Sequence, residues 1–176
     1  YAPVTEEFVN DSNINEGKNM LIVIGGNNKQ SGPEDILQLL QSAKLVDITI
    51  DMVVSPHYPK DQISTLLDFD GLNKINIFQN VKSLIPLFKK SSIIICTYGN
   101  IVYESLTYHL PTYVCSYKKF QNEYASYLEK QDLVVNLGLF NDIDFKKLPL
   151  LTSKAQKDTL YQNSKTHFNQ AGLTNI

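Results

Sequence analysis

Short apolar runs alternate with segments of helical periodicity along almost the whole of this chain. A short apolar run bounded by turn residues is typical of a buried strand, and apolar residues three and four apart are typical of a helix that packs through one face. Because helices separate the strands, the pattern predicts a parallel sheet covered on both faces, a Rossmann-like doubly wound α/β domain. The predicted strands are residues 20–24, 48–54, 75–78, 93–96, 112–116 and 133–135.

The intervals between the strands have helical spacing. The predicted helices are residues 34–44, 61–67, 81–90, 100–109, 121–130 and 153–168, with a bend at 146–150 before the last of them. Pro86 lies inside the third segment and predicts a late start or a kink, because proline lacks the amide that a helix interior needs. The 176 residues suit one domain, residues 20–176, preceded by a polar linker or edge segment, residues 1–19.

Charge and composition narrow the class of partner. The formal net charge is −2, and the 16 basic residues are all lysines. Nucleic acid is not an expected partner, since no basic stripe is present. No apolar run is long enough to span a bilayer and no signal peptide is visible, so no transmembrane segment is expected. Cys96 and Cys115 end apolar runs and are predicted to be buried reduced thiols, which favours a cytoplasmic location. Without arginine, phosphate has to be held by backbone amides, helix N-termini or lysine.

The predicted topology nominates a ligand site. Ligands bind outside the carboxyl ends of the strands where the strand order reverses, which is between strands 1 and 4 for the usual order 3-2-1-4-5-6. A glycine turn follows each of these strands, and glycine lets a ligand approach the backbone closely, while the next helix offers free amides to an anion. The alternative is that both are simply tight strand-to-helix turns. The candidate residues are Gly25, Gly26 and Asn27 after the first strand and Tyr98, Gly99 and Asn100 after the fourth.

Two further side chains stand behind these turns. Glu104 lies one turn into the helix that begins near Asn100, where a carboxylate is suited to accept two hydrogen bonds from a ribose diol. The alternative for Glu104 is an acid that interacts only with the helix dipole. Gln121 opens the helix after the fifth strand and is expected to face the same crevice, although by itself it is a generic surface residue.

Other nucleotide and metal motifs are missing from the sequence. There is no G-x-G-x-x-G fingerprint and no Walker A sequence, which argues against NAD enzymes and ATPases. The histidines are scattered, and no aspartate pair suited to Mg²⁺ flanks the glycine turns. Neither a metal nor another cofactor is therefore expected.

Four segments of the chain match segments of a known family in the same order. They are residues 1–4, 24–27 (Ile-Gly-Gly-Asn), 99–104 (Gly-Asn-Ile-Val-Tyr-Glu) and 120–125 (Phe-Gln-Asn-Glu-Tyr-Ala). They resemble the linker, the phosphate-side loop, the G-G-x-x-x-x-E segment and the N-Q-x-x-x-A segment of the C-terminal domain of the UDP-sugar hydrolases of pseudaminic acid biosynthesis. The chain is similar, more distantly, to the C-terminal half of the peptidoglycan N-acetylglucosaminyltransferase. Both families have the GT-B architecture, in which two Rossmann-like domains face each other across a cleft.

This resemblance implies a ligand and a partner. UDP or a UDP-sugar would bind with its diphosphate at the two glycine turns, its ribose at Glu104, its sugar or phosphate near Gln121, and its uracil against the backbone near residues 78–81. The catalytic His and Asp of the hydrolases belong to the N-terminal domain. Since this chain opens on Tyr1 rather than Met, we expect a fragment whose partner is the N-terminal domain of the same protein.

Two functional hypotheses follow from the resemblance. The first is the UDP-sugar-binding domain of a hydrolase or glycosyltransferase in bacterial surface polysaccharide or nonulosonic acid biosynthesis. The second is a non-catalytic module that senses a nucleotide-sugar or docks a partner. The second hypothesis rests on departures from the family pattern, because Asn100 stands in place of the second glycine of its pair and Phe120 in place of a polar residue.

Overall fold

The computed structural model describes residues 18–25, 32–43, 45, 47–69, 72 and 74–168. Within this part of the chain, strands form one sheet in the order β3-β2-β1-β4-β5-β6-β7, and all pairings are parallel except that of β6 with β7. The strands are β1 Asn19–Val23, β2 Thr49–Val54, β3 Lys74–Gln79, β4 Ile93–Thr97, β5 Thr112–Ser116, β6 Val135–Leu139 and β7 Asp142–Ile143. The Rossmann-like fold class and the predicted strand order are confirmed.

Helices follow the strands as the periodicity predicts. They are α1 Gly32–Ser42, α2 Lys60–Leu67, α3 Ile85–Lys90, α4 Asn100–Thr107, α5 Lys119–Glu129 and α6 Lys154–His167, with a 3₁₀ helix, Phe145–Leu151, before α6. Pro86 lies in the first turn of α3, where its missing amide costs no hydrogen bond. The predicted late start of this helix is therefore confirmed, and the predicted bend before the last helix is the 3₁₀ helix.

Two hydrophobic clusters cover the two faces of the sheet. The first contains side chains of α1, α2, the 3₁₀ helix and α6, and the second contains side chains of α3, α4 and α5. Cys115 belongs to the first cluster and Cys96 to the second, so the two free thiols lie on opposite faces of the sheet. Burial raises the pKa of both thiols, to about 12 for Cys115. The prediction of buried reduced cysteines is confirmed.

The end of the sheet differs from the prediction. A strand at residues 133–135 was expected, but β6 begins only at Val135, because the Asp132 and Leu133 amides still bond to carbonyls of the preceding helix, those of Glu129 and Leu128. The antiparallel strand β7 was not predicted, since two residues are too few to show an alternating pattern. Residues 1–17 of the predicted linker lie outside the described part of the chain. Among the described helices, none is long and apolar enough to cross a membrane.

Candidate functional site

The crevice that topology nominates is formed by the carboxyl ends of β1 and β4, which are neighbours in the sheet. The backbone amide of Gly25, just beyond β1, donates to Oγ1 of Thr97, the last residue of β4, over 3.3 Å. The Thr97 hydroxyl lies 3.5 Å from the Gly25 carbonyl oxygen, to which it donates in turn. Thr97 therefore joins the start of one glycine turn to the start of the other.

The N-terminus of α4 opens into this crevice. Gly99 is the N-cap residue in extended conformation, and no side chain caps the helix. A Cβ atom added at Gly99 would meet no atom of the described residues within 4 Å, so neither backbone strain nor packing against them requires glycine there. The first turn of α4 contains no acidic residue. The Val102 amide donates to the Gly99 carbonyl oxygen over 3.1 Å, whereas the amides of Asn100 and Ile101 have no acceptor within the helix. This end of α4 is therefore a positive pole that no side chain of the described residues compensates.

The N-terminus of α1, across the crevice, has a different electrostatic environment. Glu34 and Asp35 lie in its first turn, and the Tyr58 hydroxyl donates a short hydrogen bond to Glu34 Oε1. Burial, with the nearby negative charges of Asp35 and Glu34 as further causes, raises the pKa of Tyr117 to about 12. Because these carboxylates already compensate the positive end of α1, an anion in the crevice is favoured at α4 rather than at α1.

Glu104 provides an available carboxylate above β4. It is half-buried, and burial raises its pKa. The negative charge of Glu104 also contributes, after burial, to the raised pKa of Cys96, the fourth residue of β4. Within the described part of the chain, no group donates a hydrogen bond to this carboxylate. A partly desolvated acceptor without a donor is suited to a ligand that brings hydroxyl groups.

Gln121 lies in the first turn of α5, as the sequence predicts, but its side chain bonds to the protein itself. Its Oε1 accepts hydrogen bonds from the backbone amides of Tyr117 and Lys118, over 3.2 and 3.1 Å. Its Nε2 donates to the Tyr98 carbonyl oxygen over 3.2 Å. The side chain thus connects the loop after β5 with the loop after β4.

Comparison with known proteins supports this geometry at the level of the fold. No family model matches the sequence. An uncharacterised protein of Methanocaldococcus jannaschii is 31% identical over 133 residues, which are 74% of this chain and 27% of that protein. The structure of WaaG, a glycosyltransferase involved in lipopolysaccharide biosynthesis, matches with a TM-score of 0.67 and 14% identity over 89% of this chain and 44% of WaaG.

Two further solved structures have the same arrangement. MurG of Acinetobacter baumannii matches with a TM-score of 0.64 and 14% identity, covering 94% of this chain and 48% of MurG. The rhamnosyltransferase SpnG complexed with thymidine diphosphate matches with a TM-score of 0.61 and 15% identity, covering 93% of this chain and 44% of SpnG. This chain has the fold of a GT-B glycosyltransferase domain. It spans less than half the length of each of these structures and about a quarter of the archaeal relative.

The described part of the chain brings most of the predicted site residues together. Gly25, Tyr98, Gly99 and Glu104 belong to the elements at the carboxyl ends of β1 and β4, and Gln121 reaches them from α5. Asn100 is exposed at the start of α4. Gly26 and Asn27 lie outside the described residues. Of the segment expected near uracil, Phe78 and Val81 are half-buried on the face of the sheet that carries α4.

Three residues in and around the crevice were not predicted from the sequence. Thr97 joins the two glycine turns, and a hydroxyl residue at the end of the fourth strand was the available signal for it. Tyr103 and Tyr124 enclose Tyr98: the Tyr98 and Tyr103 hydroxyls are 2.9 Å apart, and the Tyr98 and Tyr124 rings stack with centroids 5.9 Å apart. No spacing in the sequence indicates these contacts, because they join separate elements.

Proposed function

We propose that this GT-B domain binds UDP or a UDP-sugar in the crevice above β1 and β4. The observation that carries the proposal is the half-buried Glu104 carboxylate, which has no donor from the described residues and lies one turn behind the uncompensated N-terminus of α4. The start of α4 thus favours an anionic group of a ligand. One turn further along the same helix, the Glu104 carboxylate is available to accept hydrogen bonds from it. A nucleoside diphosphate carries matching groups, an anionic diphosphate next to a ribose diol.

The diphosphate would bind at the start of α4. The chain has no arginine, so the amides and the positive end of the helix supply the favourable interaction. Gly99 has no Cβ to occupy the open space in front of the helix. The acidic residues in the first turn of α1 compensate the positive end of that helix, so the loop after β1 would be the weaker anion site. Gly25 in this loop would offer a ligand only its backbone.

The ribose would bind through its 2′- and 3′-hydroxyl groups to Glu104. Two hydroxyl donors to one carboxylate are charge-assisted hydrogen bonds, which are stronger than neutral ones. This role predicts a preference for a ribonucleotide over the matching 2′-deoxynucleotide. Such a preference would distinguish the domain from a thymidine diphosphate site like that of SpnG, whose structure contains that ligand.

The complete protein would be a UDP-sugar hydrolase or a glycosyltransferase that acts in the cytoplasm in surface polysaccharide or nonulosonic acid biosynthesis. The amides of this domain would stabilise the charge that develops on the leaving UDP. A group of an N-terminal domain would activate water or an acceptor hydroxyl. The non-catalytic sensing or docking module is the alternative, and it is favoured by the exposed Asn100 where a second glycine would leave more room.

Calorimetric titration tests the nucleotide site. UDP, dUDP and uridine should bind in decreasing order of affinity, because dUDP lacks one hydroxyl donor and uridine lacks the diphosphate. Glu104→Gln should weaken UDP by roughly tenfold or more and bring UDP and dUDP to similar affinities, as expected for loss of a charge-assisted hydrogen bond. Glu123→Gln, an exposed glutamate of α5, is the matched control and should bind like the wild-type protein.

Three outcomes are decisive. No binding of UDP at millimolar concentration removes the proposal. Equal affinities of the wild-type protein for UDP and dUDP remove the role of Glu104 while leaving a diphosphate site at α4. Nucleotide binding by the complete protein without turnover of any UDP-sugar, hydrolytic or to an acceptor, favours the non-catalytic module.

A further inference from the structure

Gln121 uses most of its hydrogen-bonding capacity within the protein. A side-chain amide oxygen has two lone pairs, and those of Gln121 Oε1 accept the Tyr117 and Lys118 amides. One of the two Nε2 hydrogens is donated to the Tyr98 carbonyl. A single N–H group is left for any ligand, so a sugar hydroxyl that needs an acceptor finds none on this side chain.

The backbone that Gln121 holds is the one that leads into α4. Tyr98 is fixed at its other groups as well: its amide donates to the Cys115 carbonyl over 3.1 Å, its hydroxyl contacts that of Tyr103, and its ring stacks on Tyr124. Gly99 follows directly and is the N-cap residue of α4. The direction in which the first amides of α4 point is therefore set by contacts to Tyr98 from β5, α4 and α5.

We infer that Gln121 is a positioning residue, which holds the Tyr98-Gly99 turn in the orientation that binds a diphosphate, rather than a residue that contacts the sugar. The inference rests on the proposed nucleotide site. Its physical basis is preorganisation: amides that already point at the anion bind it without the cost of ordering a loop. Glycine at residue 99 has little restriction of its own, so the order of the turn has to come from its neighbours.

The first test compares two ligands on one variant. Gln121→Met keeps the length of the side chain and removes its hydrogen bonds without adding charge. It should weaken UDP and UDP-N-acetylglucosamine by the same factor, about fivefold, the effect of roughly one hydrogen bond. Gln131→Met, a change of the same kind just after the far end of α5, should leave both affinities unchanged. A loss confined to UDP-N-acetylglucosamine would show a sugar contact and overturn the inference.

The second test needs no ligand. In the ¹⁵N–¹H spectrum of the free protein, the Gly99 amide should shift and broaden in Gln121→Met and keep its position in Gln131→Met. If Gln121→Met fails to fold, Tyr103→Phe removes one hydroxyl contact to Tyr98 and should give a smaller shift of the same amide, with a two- to threefold loss of UDP affinity at most. An unmoved Gly99 amide in the folded variant overturns the inference even if UDP does not bind. A shifted amide without UDP binding shows that Gln121 holds the turn and removes the proposed function, and with it the diphosphate that the turn was inferred to bind.

Discussion

The Gly25 amide donates to Thr97 Oγ1 across the crevice between β1 and β4, over 3.3 Å. Thr97→Val keeps the shape of the side chain and removes this acceptor, so the free energy of unfolding should fall by about 1 kcal/mol, measured by urea denaturation. Thr97→Ser keeps the hydroxyl and should stay closer to the wild-type protein. If the valine variant is as stable as the wild-type protein, the bond contributes nothing to joining the two turns.

Glu104 should affect the free energy of unfolding as well as the binding of nucleotide. Burial raises its pKa, so the folded protein holds this proton more tightly than the unfolded chain does. The ionised carboxylate therefore lowers stability above its folded-state pKa, and the effect disappears well below the ordinary carboxyl pKa, where both states are protonated. Glu104→Gln should raise the free energy of unfolding at neutral pH and lose this advantage in acid.

The measurement for Glu104 is urea denaturation over a pH series, with Glu123→Gln as the exposed control. A variant that is more stable and binds UDP more weakly is the combination expected of a residue retained for binding rather than for folding. A decrease in stability at neutral pH would contradict the assignment of the raised pKa to burial.

Gly32 is required by close packing at the start of α1. A Cβ atom at this position would overlap the Tyr117 hydroxyl oxygen and lie 3.1 Å from Cγ2 of Ile24. Gly32→Ala should lower the free energy of unfolding by about 1–3 kcal/mol, as other overpacked sites do. Combining it with Tyr117→Phe removes the closest atom and should recover part of the loss in a double-mutant cycle. Strictly additive losses would show that the hydroxyl is not the obstacle.

An ion pair between a buried aspartate and a half-exposed lysine holds α3 against the sheet. Asp51 of β2 is fully buried, and Lys90 Nζ approaches its Oδ2 to 2.7 Å, while Asn76 donates to Oδ1 over 2.8 Å. The contact with lysine is an ion pair and not a well-aligned hydrogen bond, since Oδ2 has no hydrogen-bond partner of good geometry in the described residues. Removing one charge leaves the other buried, which typically costs about 3–5 kcal/mol.

Lys90→Met should therefore destabilise the protein, by less than that figure because the lysine side chain is 43% exposed and water reaches it. Adding Asp51→Asn, which removes the second charge, should restore much of the stability. Thermal denaturation of the single and double variants measures both effects. A double variant no more stable than Lys90→Met would show that the aspartate charge is not what the lysine compensates.

The fold could be predicted from periodicity in the sequence because each apolar segment indicates by its own spacing whether it forms a strand or a helix. The strand 112–116 was predicted with its observed bounds, and Pro86 marked the late start of α3. The shift of β6 to Val135 escaped prediction, since hydrogen bonds to the end of α5 decide where that strand begins.

The candidate site could be located but not fully assigned. Glycine turns and the usual strand order pointed to the crevice between β1 and β4, and Glu104 lies behind it. The partners of Gln121 could not be foreseen, because Tyr98 and Tyr117 belong to loops after two different strands. The resemblance put the diphosphate at both glycine turns, whereas the carboxylates of Glu34 and Asp35 favour the turn at α4.

The sequence by itself determined the order of strands and helices, the buried cysteines and the edge of the sheet that carries the candidate site. These follow from local patterns and from the handedness of the connections between parallel strands. Tertiary structure alone decided that no described residue donates a hydrogen bond to the Glu104 carboxylate and that Gln121 holds the loop of Tyr98. Such properties depend on distances in space between residues that are far apart in the chain. Hydrogen bonding and burial are set by those distances and not by spacing in the sequence.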